Sequence, residues 1–162
     1  MIDSKLIMYV DMDDVLCNYS EAFNKAIDKQ PDIAYPQSQY GFFADLAPID
    51  GAIEGITTLH KSEQYDVYIL TAPSEYNPMC YTEKRKWVEE YLGMEFVKRL
   101  IISPHKHLNK GHFLIDDHTE GRGQDKFEGE LIHFGSDAWP NWKSITNKLI
   151  HSKRNGQNEN SL

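Results

Sequence analysis

Cysteine is scarce: only Cys17 and Cys80 occur in a chain of 162 residues. Two such thiols make neither a disulfide framework nor a C-x-x-C metal pair, so a reduced, cytoplasmic setting is expected. Basic residues are outnumbered, 17 Lys and Arg against 25 Asp and Glu, giving a formal net charge of −8. That balance argues against nonspecific binding to nucleic acid or to an anionic membrane, and no basic-aromatic groove pattern offsets it. A small anionic substrate stays open, because local charge and a bound cation decide that question. No apolar run is long enough to span a membrane, no N-terminal cleavage pattern is visible, and no internal repeat occurs.

What is present suits a single domain with a real core: 40% of residues are hydrophobic and 26% charged. Leu6-Ile7-Met8-Tyr9-Val10 is short and apolar, which predicts a buried strand. Further strands are predicted at 67–70, 100–102, 112–115 and 130–134, with helices over 19–29, from Gly51 to Lys61, over 81–92 and over 139–151. Gly93 reads as the stop of the third helix. Strands alternating with helices imply an α/β fold, a three-layer Rossmann-like parallel sheet of about five strands. The first two strands are separated by about fifty residues, far more than one crossover needs, so a small helical cap inserted after the first strand is expected. The organisation is then a core of 1–17 and 66–152, a cap over 18–65, and a disordered polar tail at 153–162.

The first strand ends in Asp11, Asp13 and Asp14, and the fourth in Asp116-Asp117. One Asp pair after a strand is a common turn former. Two such strand ends in one small sheet are harder to dismiss, since strand C-termini are where open α/β sheets bind ligands. Converging carboxylates repel unless cations are present, which points to a hard cation, Mg²⁺, and through it a phosphate. Thr71, at the end of the second strand, supplies a hydroxyl followed by free backbone N–H groups. The lysine-bearing segment 103–110 after the third strand is the basic candidate.

In this order the motifs resemble those of the haloacid-dehalogenase-like superfamily of aspartate-nucleophile phosphatases. Asp11-Met12-Asp13-Asp14-Val15-Leu16 is similar to its first motif and Leu70-Thr71-Ala72-Pro73 to its second. Lys106 is similar to its third and Leu114-Ile115-Asp116-Asp117 to its fourth. The likeness extends to the 5'(3')-deoxyribonucleotidase family through Phe42-Phe43, Leu46, Pro48, Gly51, Trp87-Val88-Glu89, Tyr91 to Gly93, Trp139 and Trp142. The resemblance implies phosphomonoester hydrolysis through an aspartyl-phosphate, with Asp11 as nucleophile and Asp13 as acid and base. It implies Mg²⁺ held by Asp11, the Asp13 carbonyl and Asp117, with Asp116 behind. Phosphate would be bound by Thr71, the Ala72 N–H and Lys106. The implied substrate is a (deoxy)nucleoside monophosphate, and the implied assembly a homodimer. Two other readings stay open: a phosphatase for another small phosphomonoester, and a non-catalytic nucleotide-binding protein on the same fold.

Three departures from the family pattern stand out. Asp14 occupies a position where many relatives have glycine, Ala72 one where serine is frequent, and the cap lacks the tryptophans some relatives use against the base. Tyr19, Phe42 and Phe43 are the remaining aromatic candidates for stacking on a base. Trp87, Val88 and Tyr91 share a helix face and read as core, and His112 reads as structural.

Overall fold

The computed structural model describes residues 4–151, so the tail expected at 153–162 lies outside the described residues. Five strands, β1 (Leu6–Val10), β2 (Tyr65–Thr71), β3 (Leu100–Ile102), β4 (Phe113–Asp116) and β5 (Glu130–His133), form one sheet. Its order is β3-β2-β1-β4-β5 and every neighbouring pair is parallel. β1 is central. The chain winds from it outward through β2 and β3, then crosses back to β4 on its other side. That reversal opens a crevice at the C-terminal ends of β1 and β4.

Alternate residues of each strand face opposite ways. Met8, Val10, Val67, Ile69, Ile115 and Ile132 enter the main core, together with Ile56, Leu59, Trp87, Val88, Trp142 and Ile145. These come from α2 (Ala52–Lys61), α3 (Cys80–Val97) and α4 (Trp142–His151). Tyr9, Leu70 and Leu114 face the other side, where Phe127 covers them. The third layer is thus built of loops and 3-10 turns at Lys106–Leu108 and Gln124–Lys126, because both crossovers on that face are too short for α-helices.

α3 breaks where glycine predicted it would: Gly93 has φ 74 and ψ −178, and a short second helical piece follows. The last helix starts at Trp142 rather than at 139, after a turn in which the Trp139 N–H donates to the Ser136 carbonyl. Pro140 follows that turn, and Asn141 Oδ1 accepts the Ser144 N–H at 2.9 Å as a cap. Trp142 donates from Nε1 to the Val15 carbonyl at 2.8 Å. Gly55 makes room for its ring, since a Cβ there would lie 2.4 Å from it.

α2 falls within the span 18–65 expected to be cap, yet it packs against β2 and α4. Its Ile56 and Leu59 are fully buried in the main core, so it serves as a crossover helix of the sheet. The inserted part is the stretch before it: α1 (Tyr19–Lys29), the 3-10 turn Pro36–Ser38 and the Phe42–Leu46 segment. α3 anchors this insertion. Buried Glu83 accepts the N–H groups of Gly41 at 2.7 Å and Phe43 at 3.1 Å, and Trp87 Nε1 donates to the Leu46 carbonyl at 2.7 Å. Among the described residues no helix is long and apolar enough to cross a membrane.

Candidate active site

Parallel pairing alone brings the acidic strand ends together. Val10 registers with Ile69 on one side and Ile115 on the other. Asp11 and Asp116 therefore emerge side by side, with Thr71 one residue further along β2, and the Asp11 N–H bonds the Ile115 carbonyl at 2.9 Å. Carboxylate oxygens of Asp11, Asp116 and Asp117 all lie within 4.8 Å of one another. Lys106 is inserted among them, 2.8 Å from Asp11 and in contact with Asp116. Its 3-10 turn places it there, with its own N–H on the Arg122 carbonyl at 2.8 Å. Burial alone would depress the Lys106 ammonium, but Asp11 and Asp116 overcome this and hold its pKa above the ordinary value.

The two carboxylates at the end of β4 differ. Asp116 is fully buried and engaged: besides Lys106 it accepts the His118 N–H at 2.9 Å and the Gln124 amide at 3.3 Å. Asp117 Oδ1 is buried with no hydrogen-bond partner. Burial, and then the charge of Asp11, push the Asp117 carboxyl up to about 7. An all-oxygen cluster with one unpartnered buried oxygen and excess negative charge fits a hard divalent cation.

On the other side of β1, Asp13 meets a second lysine. Lys84 is completely buried, and its Nζ donates to Asp13 at 2.8 Å, to Thr71 Oγ1 at 2.6 Å and to the Ala72 carbonyl at 2.8 Å. Burial raises the Asp13 carboxyl and outweighs the pull of Lys84, so Asp13 holds its proton more tightly than an ordinary carboxylate. The sequence reading missed Lys84. A signal existed: it stands on the helical face of Trp87, Val88 and Tyr91, all read as core.

Asp11, Asp13 and Lys106 form the floor of a cavity of about 460 Å³. Asp11, Asp13, Ala72 and Lys106 line it from the sheet, Tyr19, Gln37 and Phe43 from the insertion, and Glu75, Tyr76, Arg122 and Gln124 from core loops. Of the three aromatic candidates, Tyr19 and Phe43 face this space. Phe42 packs edge-on against both and lines a different depression with Ala26 and Pro36. Thr71 is fully buried at the edge of the floor, with its hydroxyl already accepting from Lys84.

Asp14 now has a physical account. Its φ of 57 is left-handed, a conformation that favours glycine and that aspartate tolerates better than most residues. Its carboxylate accepts the Ser20 N–H at 2.8 Å and the Ser20 hydroxyl, capping the start of α1 from a distance. Cys17 and Cys80 are buried free thiols, and burial pushes Cys17 well above its ordinary pKa. His112 accepts the Ile7 N–H at 2.9 Å, a structural role.

Residues 32–143 match the family described as "5' nucleotidase, deoxy (Pyrimidine), cytosolic type C protein". A protein of Vibrio phage KVP40 that carries the 5'(3')-deoxyribonucleotidase name is 42% identical over 158 residues, 93% of this chain and 88% of that one. The human 5'(3')-deoxyribonucleotidase of cytosolic type is 34% identical over 113 residues, 70% of this chain and 50% of that protein. Among solved structures, a HAD-hydrolase of Bacillus subtilis, bound to magnesium, superposes with a TM-score of 0.57 at 14% identity, covering 85% of this chain and 92% of that one. At that identity the likeness shows the fold. The chain therefore belongs to the 5'(3')-deoxyribonucleotidase family, has the fold of a HAD-hydrolase, and is a hydrolase of the phosphoric-monoester class.

Proposed function

We propose that the protein hydrolyses deoxynucleoside monophosphates to nucleoside and phosphate with the help of Mg²⁺. The observation that carries this reading is the Asp11, Asp116 and Asp117 cluster with Lys106 inserted in it, of which Asp11 and Lys106 line a cavity walled by Tyr19 and Phe43. Asp11 attacks phosphorus, and the bond to the nucleoside oxygen breaks as the aspartyl-phosphate forms. Asp13 gives its proton to that leaving oxygen, and its raised pKa suits the task. As a carboxylate it then takes a proton from the water that splits the aspartyl-phosphate, which restores both groups. Lys84 holds Asp13 toward the floor, and Lys106 balances charge on the phosphoryl oxygens.

The Asp11 and Asp117 carboxylates and the Asp13 carbonyl would hold the Mg²⁺. Asp116, already committed to Lys106 and Gln124, would support them from behind. A cation bound there supplies neutralising charge for the phosphate and the acidic floor. Thr71 and the Ala72 N–H would meet the remaining phosphate oxygens, and Tyr19 and Phe43 the base.

The test is phosphate release from deoxynucleotides, ribonucleotides and sugar phosphates, with Mg²⁺ and with chelator. Mg²⁺-dependent turnover with deoxynucleoside monophosphates among the better substrates is expected. Asp11→Asn should fold as judged by circular dichroism and fall at least about a thousandfold in turnover, as loss of a covalent nucleophile does. Turnover retained in that variant would remove Asp11 from the nucleophile's role.

A further inference from the structure

Gln37 has no part in the chemistry above, yet it is 9% exposed and lines the cavity beside Tyr19 and Phe43. Its Oε1 is buried without a hydrogen-bond partner. A buried acceptor left unmet is costly, and sites that keep one do so because something else meets it.

The backbone around Gln37 is held from both sides. Tyr35, just before it, stacks on Tyr76 of the loop after β2, ring centroids 4.4 Å apart and planes at 10°. The Gln39 carbonyl, just after it, accepts from the Asn77 amide at 3.3 Å. Within the turn, Ser38 N–H bonds the Tyr35 carbonyl at 2.9 Å and Gln39 N–H the Pro36 carbonyl at 3.0 Å. Pro36 fixes the first position of this 3-10 turn. The fold thus pins the main chain of Gln37 to the core and leaves its Oε1 without a partner, in a residue that lines the cavity. A carboxamide offers a donor and an acceptor in one plane, the complement of the paired acceptor and donor on a nucleobase edge. With two aromatic rings beside it, the arrangement combines a stacking face with an edge reader.

We infer that Gln37 determines specificity by hydrogen-bonding the edge of the substrate's nucleobase through its carboxamide. The inference rests on the nucleotidase reading and adds to it the residue that distinguishes a nucleotide from a bare sugar phosphate.

The experiment compares kcat/KM for thymidine 5'-monophosphate and for 2-deoxyribose 5-phosphate in wild type, Gln37→Met and Gln37→Leu, with the melting temperature of each. The expected result is a loss of about five- to tenfold on the nucleotide, the size of one or two neutral hydrogen bonds. Turnover of the sugar phosphate should change by less than about twofold, since it never reaches Gln37. Melting temperatures should stay level or rise, because the substitution removes an unmet buried acceptor. Equal losses on both substrates, no loss on the nucleotide, or a clear drop in melting temperature would each overturn the inference. Wild type inactive on both substrates would instead defeat the nucleotidase reading, so the two failures are distinguishable.

Discussion

Two ion pairs border the same cavity and differ in almost every respect. At the floor, Lys84 and Asp13 meet at 2.8 Å with side chains 1% and 29% exposed. At the mouth, Arg122 and Glu75 meet at 3.5 Å with side chains 41% and 77% exposed. Coulomb attraction grows as the surroundings lose water, and so does the penalty for leaving a charge alone. The floor pair is therefore a fixed part of the machine, and it also ties Thr71 and the Ala72 carbonyl to the same ammonium. The mouth pair is a loose contact between two core loops, free to exchange for water or substrate. A site that must hold reacting groups still while admitting a ligand divides its charges in this way.

The strongest challenge to that contrast is Lys84→Met. Removing the ammonium strands Asp13 and Thr71 at the floor, so unfolding in urea should show a loss of about 2–4 kcal/mol, less than a fully buried pair would cost because Asp13 is partly hydrated. Phosphatase kcat should fall by about a hundredfold or more, with the alkaline limb of the pH–rate profile moved upward as Asp13, the general acid, binds its proton more tightly. A variant as stable and active as wild type would make the floor pair no different from the mouth pair.

An intermediate effect is expected at Asp117. Its folded pKa of about 7 lies above the ordinary carboxylate value of 3.8. Between those values the native state binds a proton that the unfolded chain does not, so stability falls as pH rises through the window. In chelator, the wild-type melting temperature should decline by several degrees between pH 5 and pH 8 relative to Asp117→Asn. Mg²⁺ should remove that difference for wild type by favouring the carboxylate. Parallel pH curves for the two proteins would show that Asp117 is not held in the acid form.

The smallest effect belongs to the mouth. Arg122→Ala and Glu75→Gln should each change stability by less than about 0.5 kcal/mol, and less again at high salt. A double-mutant cycle by chemical denaturation measures this directly. A coupling comparable to that at Lys84 would erase the distinction between floor and mouth.

How far each region could be read from the sequence follows the same division. Asp11, Thr71, Asp116 and Asp117 stand immediately at the ends of apolar runs, and a parallel sheet makes such ends neighbours automatically. Lys106 was legible through motif order. Lys84 carried only the faint signal of its helical spacing to Trp87, Val88 and Tyr91, because it sits in Glu83-Lys84-Arg85-Lys86, a run of charges that resembles a solvated face. Only packing decides that Lys84 points inward with Trp87 while Arg85 pairs with Glu89 at the surface. Phe42 and Phe43 are adjacent and identical, and nothing local says which ring faces the cavity. α2 carried the right periodicity, but periodicity reports an apolar face without naming its partner.

The sequence by itself determined the order of strands and helices, the acidic strand ends, the glycine break at Gly93 and the family. Each depends on short-range pattern: apolar period, turn chemistry and motif spacing. Tertiary structure alone decided that α2 belongs to the sheet, that Asp14 caps α1 through Ser20, that Lys84 links Asp13 to Thr71, and that Gln37 lines the cavity with its Oε1 unmatched. These are relations between residues distant in the chain. Whether a polar side chain there finds a partner is fixed only when the elements carrying them pack.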